Sequence, residues 1–230
     1  MTRSIESVHT RSLETAFGPE VSAWWISLDA HAESMDRSGL SADEILRSEQ
    51  MTRTLDARRF LASRHALRCL LASYLDWNRD DIHYQQADRA KPTLVNSNID
   101  FSLSRSQGHA LVAIAEDQSV GIDVEVLRPV PERDSLVESL FGEAEKPAVE
   151  KAPAAQKDEI FLRTWVRKEA CLKSTGHGLR VPLAHVTVGT NACSTGIRLH
   201  ANESAWQIEV VSLALPAPVV AALAIGRRTA

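Results

Sequence analysis

The chemistry in this sequence begins at VGIDVE, residues 120 to 125, where an apolar run carries two carboxylates, Asp123 and Glu125. Residues two apart on an extended chain share one face and lie about 7 Å apart. Like charges held that close oppose each other's ionisation unless something positive sits between them. A second set of charges follows downstream. Phe161, Trp165, Glu169 and Lys173 recur every four residues, so a helix through them lines them along one side, aromatic first and then a Glu–Lys pair. Read separately, the acids suit a water-facing edge strand and the Glu–Lys pair a surface ion pair. Read together, three carboxylates and a lysine suit a Mg2+ site beside a phosphate. Mg2+ takes one or two carboxylates plus phosphate oxygens and keeps several waters.

Cations for such a phosphate lie upstream at Arg47, Arg53, Arg58, Arg59, Lys91 and Arg105. Pro92 drives the backbone of Lys91 toward an extended form. Arg105 lies between Ser104 and Ser106, and hydroxyls beside a guanidinium make a phosphate grip. The histidines are scattered, and no glycine-rich phosphate loop of either common type is present. Cys69, Cys171 and Cys193 show neither metal-ligand spacing nor an even disulfide count, which points to a reducing, cytoplasmic setting.

Elements that would position these groups can be read along the chain. Residues 1 to 18 read as weakly ordered. VSAWWISL (21–28) is a strand, and 41–54 opens as a helix with Ser41 as N-cap and Glu44 at the capping-box position. Residues 55–77 form a long amphipathic helix through Phe60, Leu67, Leu70, Leu71 and Tyr74. DIHYQ is short and extended. IDFSLS and HALVAIAE pair around Gln107-Gly108, and SVGIDVEVL is the next strand. In the second half, 135–145 holds a short helix, KPAVEKAPAAQKD a loop, and 158–175 a long helix closed by Gly176. AHVTVG, GIRLH, WQIEVVSLAL and VVAALAI are strand-like, with TNACSTG as a turn. Both halves run from a long helix to extended segments. That weak repeat predicts an α+β fold of two similar halves, 19–118 and 119–230, each a long helix packed on a small antiparallel sheet.

The chain has 230 residues, 44% of them hydrophobic, enough to bury a core. Its net charge of −4 argues against a generally basic nucleic-acid binder. No apolar run reaches membrane-spanning length, and the polar first twenty residues lack the apolar centre of a signal peptide.

GIDVE, followed some forty residues on by FLRTWVRKEACLKSTGHGL, resembles the signature pair of the 4'-phosphopantetheinyl transferases: G-[IV]-D-[IV]-E, then W-x-x-K-E-[AS]-x-x-K with a glycine-bounded tail. Lys168, Glu169, Lys173, Gly176 and Gly178 fall on the second pattern. AKPTL resembles the family's G-K-P-x-[LI], and FSLSRS its F-N-[LIV]-S-H-S. The length resembles the larger, surfactin-synthetase-activator type, a monomeric pseudo-dimer within one chain. The resemblance implies transfer of the phosphopantetheine arm of coenzyme A to a serine of an acyl or peptidyl carrier domain, releasing adenosine 3',5'-bisphosphate. It implies no nucleic-acid or membrane partner. Carried over, Asp123, Glu125 and Glu169 would hold Mg2+ (or Mn2+) with the pyrophosphate, and either Glu169 or Glu125 would be the base. Lys173 would sit on the pyrophosphate, Lys91 and Pro92 on the adenine side, and Arg47, Arg59, Ser104 and Arg105 on the phosphates. Arg105 replaces the family's histidine, Ala90 its glycine, and Glu44 a basic residue. On those departures rests a second reading, a relative with little activity that binds coenzyme A or a carrier. Carrier domains of this family are acidic, so Arg53, Arg58, Arg64 and Arg68 are candidates for a docking face.

Overall fold

A computed structural model describes residues 9–85, 91–190, 194–201, 204–216 and 218–229. Two four-stranded antiparallel sheets lie between two long helices. The first sheet holds β1 (Thr10–Leu13), β2 (Val21–Ser27), β5 (Ile99–Ser106) and β6 (His109–Glu116), in the order β1-β2-β6-β5. The second holds β7 (Ser119–Val126), β8 (Thr195–Ala201), β9 (Ser204–Leu213) and β10 (Val219–Thr229), in the order β7-β10-β9-β8. A two-residue pair, β3 (Tyr84–Gln85) with β4 (Thr93–Leu94), stands apart. In each large sheet an early strand pairs with the half's last strand, which pairs with the one before it.

Alternation along each strand sorts side chains into three apolar layers. Val21 and Ala23 of β2, Leu111, Ala113 and Ala115 of β6, Val120, Ile122, Val124 and Val126 of β7, and Leu223 and Ile225 of β10 form the layer between the sheets. The opposite faces of β2 and β6 pack Ile26, Val112 and Ile114 against α3 (Thr54–Leu75). On the far side, Val220, Ala222 and Ala224 of β10 pack against α6 (Ala154–Thr175). Each long helix ends on a residue in the left-handed region, Asp76 (φ 60°) for α3 and Gly176 (φ 72°) for α6. The expected capping box starts α2 (Ala42–Glu49): Ser41 Oγ accepts from Glu44 N, and the Glu44 carboxylate accepts from Ser41 N.

Several sequence expectations need correction. Part of residues 1–18 is a strand, β1, paired along β2; residues 1–8 lie outside the described residues. KPAVEKAPAAQKD is not one loop: it holds α5 (Lys146–Glu150) and the first turn of α6. Its prolines do not break these helices. Pro147 sits in the first turn of α5 and Pro153 is the N-cap of α6, where a missing N–H costs nothing. AHVTVG is not a strand. A single 3-10 turn, Leu183–His185, leads into an irregular segment with Val186 and Val188 buried. A fully buried ion pair takes up its polar groups instead of a ladder. Lys168 Nζ donates to Leu183 O and Val186 O, Glu145 Oε1 accepts from Val188 N and Gly189 N, and Lys168 and Glu145 meet at 2.6 Å. TNACSTG lies partly outside the described residues.

Two buried histidines join α1 (Leu28–Ser34) to α3. Arg79 donates to His65 Nε2 at 2.8 Å, so His65 carries its proton on Nδ1 and gives it to His31 Nε2 at 2.9 Å. Burial, then the charge of His65, pushes the His31 pKa down from 6.5 to about 4; burial, then Arg79, lowers that of His65. Asp36 and Cys69 are the other ionisable neighbours of His65. A histidine pKa lowered by folding stabilises the fold above the unfolded value and withdraws that stability as pH falls from 6.5 toward 4. Denaturant unfolding at pH 5 should therefore show a loss on the order of 1–2 kcal/mol relative to pH 7.5. His31→Gln should shallow that slope, and an unchanged slope would assign it to other groups.

Candidate active site

The sequence of β7 has three jobs, one for each kind of residue in it. Val120, Ile122, Val124 and Val126 face the layer between the sheets. Gly121, Asp123 and Glu125 face the other way, toward α6. α6 crosses so closely at Gly121 that a Cβ there would lie 2.0 Å from Ala170 O and 2.4 Å from Ser174 N. That close approach brings Glu169 and Lys173 of α6 beside Asp123.

Asp123 is 5% exposed, and its Oδ1 accepts from Ser104 Oγ and from Lys173 Nζ, both at 2.6 Å. Lys173 also donates to Ile122 O at 3.3 Å. The helical Glu169–Lys173 pair suggested by spacing is thus replaced by a strand–helix pair, which leaves Glu169 without a donor among the described residues. Glu125 accepts from Ser106 Oγ at 2.8 Å and lies 3.7 Å from Arg128. Burial first, then the charge of Asp123, raises the pKa of the half-buried Glu169. Burial raises that of Glu125, with Asp123 adding to it and Ser106 opposing it. Asp123, Glu125, Glu169, Lys173, Ser104, Arg105 and Trp165 line one open cleft of about 410 Å³. Phe161 stacks between Phe141 and Trp165 below it.

A neighbouring cavity of about 270 Å³ shares Leu103 and Lys173 with this cleft and is walled by Arg64, Lys91, Pro92, Phe101, Gly176 and Gly178. Lys91 reaches it as a wall, since its ammonium bonds Asp100 and Val120 O. Burial lowers the Lys91 pKa. Above the cleft, the guanidiniums of Arg47, Arg64 and Arg105 gather on the Phe60 ring, at 5.5, 5.4 and 5.4 Å from its centre. Burial lowers the pKa values of Arg64 and Arg105, and the repulsion of neighbouring arginines lowers them further. Three cations converging in this way form a place for a multiply charged anion.

The structure therefore brings together Asp123, Glu125, Glu169, Lys173, Ser104 and Arg105, with Lys91 and Pro92 in the adjoining wall and Arg47 beside Arg105 on the Phe60 ring. It does not bring in Arg59, whose guanidinium makes a two-pronged pair with Asp29 of α1, both bonds at 2.7 Å. Ser104 is not free to grip a phosphate, because its hydroxyl donates to Asp123 and accepts from Val124 N. Arg68 is no docking residue: it is 6% exposed and bonds Glu44 and Ile82 O. Glu44 is spent on that bond and on its cap. Ala90 lies outside the described residues. Arg64, offered by the sequence only as a docking residue, walls the neighbouring cavity, and its spacing of four from Phe60 places the two on one side of α3.

The carboxylates suit a hard cation in their chemistry. No described residue donates to Glu169, to Asp123 Oδ2 or to Glu125 Oε1. They are near neighbours and not a finished cage: among the described residues no three His, Cys, Asp or Glu side chains stand in coordinating array. Asp123, Glu125 and Glu169 would hold the ion.

Comparison with known proteins places the chain. The profile of the 4'-phosphopantetheinyl transferase superfamily matches residues 119–224, the segment that holds β7 and α6. The 4'-phosphopantetheinyl transferase HetI of Nostoc sp. (strain PCC 7120) is 36% identical over 171 residues, covering 72% of this chain and 72% of that protein. Two further 4'-phosphopantetheinyl transferases are similar. Psf-1 of Bacillus pumilus is 26% identical, covering 72% of this chain and 71% of its own; ffp of Bacillus subtilis is 25% identical, covering 68% and 70%. The two signature segments, the cleft they build and this similarity over most of both chains agree: the chain belongs to the 4'-phosphopantetheinyl transferase superfamily and is an enzyme of that class.

Proposed function

We propose that this enzyme moves the 4'-phosphopantetheine arm of coenzyme A onto a serine of an acyl or peptidyl carrier domain and releases adenosine 3',5'-bisphosphate. One observation carries the reading: the carboxylates of β7 and α6 line the same cleft as Lys173 and Arg105, and that cleft joins a cavity sized for a flat ring. The adenine lies between Lys91-Pro92 and Gly176-Gly178. The pyrophosphate crosses Lys173, which both cavities share. Arg47, Arg64 and Arg105 take the remaining phosphate. Asp123, Glu125 and Glu169 would hold a divalent cation, which when bound would supply positive charge beside the pyrophosphate. Mg2+ would suit this role, with Mn2+ as an alternative ion.

Lys173 already spans Asp123 and the Ile122 carbonyl, so its ammonium is fixed before substrate arrives. From there it offsets charge growing on the leaving group. Glu169 is the residue best suited to take the serine proton. Burial raises the pKa of both, but Glu125 is tied to Ser106, whereas no described residue donates to Glu169. The common order of three strands in each sheet, β2-β6-β5 and β7-β10-β9, supports reading the protein as a pseudo-dimer of the surfactin-synthetase-activator type, a type in which one chain forms both halves.

Incubating the protein with coenzyme A, Mg2+ and apo carriers of fatty-acid, polyketide and nonribosomal-peptide origin tests this directly. A carrier that gains the mass of the arm supports it. Coenzyme A binding with no carrier modified in the whole panel counts against transfer. Glu169→Gln should lower turnover on the order of 10²-fold with its unfolding midpoint kept, the range expected for a lost general base. If turnover is lost while pre-formed metal binding is unchanged, Glu169 acts as the base and not chiefly as a ligand.

A further inference from the structure

The two sheets meet at an edge without a backbone ladder. β5 is the outer strand of the first sheet and β7 of the second. Alternate side chains of β5 take up the outward N–H groups of β7. Asp100 Oδ2 accepts from Val120 N at 2.8 Å, Ser102 Oγ from Ile122 N at 3.1 Å, Ser104 Oγ from Val124 N at 3.3 Å, and Ser106 Oγ from Val126 N at 3.1 Å. The offset stays at 20 residues, so the two strands run in the same direction along the seam. Buried edge N–H groups need partners, and these side chains supply them.

Two of the hydroxyls act twice. A serine hydroxyl has one proton to donate as well as lone pairs to accept with. Ser104 gives its proton to Asp123 Oδ1, and Ser106 gives its proton to Glu125 Oε2 at 2.8 Å. Ser102 makes the same seam bond, but the residue facing it one step earlier is Gly121, which has no carboxylate to receive a proton.

We propose that Ser106 is a positioning residue for Glu125. It anchors one carboxylate oxygen to the seam between the halves, so that Glu125 stands ready as a metal ligand before any ion arrives. The inference rests on the reading that Asp123, Glu125 and Glu169 hold a divalent cation. It also makes the seam functional, since the bond that joins the halves presets the site. Partners of metal ligands commonly change affinity by 10- to 100-fold when removed.

The test is Mn2+ binding to the full chain, followed by electron paramagnetic resonance, with the unfolding midpoint measured on the same samples. Ser106→Ala should weaken Mn2+ binding on the order of tenfold. Ser102→Ala loses an equivalent N–H acceptor and should lower the midpoint comparably while leaving Mn2+ affinity in place. Ser106→Thr and Ser106→Val have the same shape and differ in the hydroxyl alone, so they serve if the alanine variant does not fold. Threonine should keep the affinity and valine should lose it. Equal weakening in Ser106→Ala and Ser102→Ala, or equal affinities for the threonine and valine variants, would overturn the positioning role while the metal reading stands. A wild-type protein that binds no Mn2+, with or without coenzyme A, would overturn both.

Discussion

Asp123→Asn should lower transfer to an apo carrier by 10²- to 10³-fold, on the order of 3–4 kcal/mol in the barrier, and added Mg2+ should not restore it. The substitution keeps the shape and leaves an oxygen to accept from Ser104 and Lys173. It removes the charge. Asp123 is the most enclosed of the three cleft acids, and Lys173 is drawn to it at 2.6 Å. Neutralising it weakens the place for a cation and loosens the ammonium that faces the leaving group. Under the proposed reaction both losses bear on the step in which charge grows, so kcat should fall while coenzyme A affinity, which that reading assigns to the arginines on Phe60, changes far less. Turnover across a Mg2+ titration checks this. Near-wild-type turnover at any Mg2+ concentration would remove Asp123 from the machinery.

Gly121→Ala should cost on the order of 4 kcal/mol or more of stability, in the far tail of single substitutions. The reason is space. The added methyl would stand 2.0 Å from Ala170 O and 2.4 Å from Ser174 N, and both are backbone atoms of a helix that cannot swing aside like a side chain. α6 must back away from β7, and Glu169 and Lys173 go with it. Unfolding midpoint and soluble yield measure the first effect. A folded minority should also lose transfer out of proportion to its abundance. A variant within a few tenths of a kcal/mol of wild type would mean that α6 does not rest on Gly121.

Much of this arrangement is legible in the chain. Local rules placed a strand at 119–127, where β7 spans Ser119–Val126, the capping box at Ser41 and Glu44, the hairpin at Gln107-Gly108 and the helix ending at Gly176. They fail where a partner is distant in sequence. Val186 and Val188 alternate like a strand, yet their own backbone groups are taken up by Lys168 and Glu145. Arg59 and Arg68 look like solvated cations, yet each is committed to an acid 24 or more residues away.

The sequence by itself determined the candidate set. Periodicity of two on a strand and of four on a helix puts Asp123 with Glu125 and Glu169 with Lys173, whatever else the chain does. The tertiary structure decided who pairs with whom. Lys173 leaves its helical neighbour for Asp123 because Gly121 lets α6 lie against β7. Glu169 is thereby left unpartnered among the described residues, and the β5 serines turn from phosphate grips into a seam that holds the acids. Those choices depend on distances between segments far apart in the chain, and spacing within a segment carries no such information.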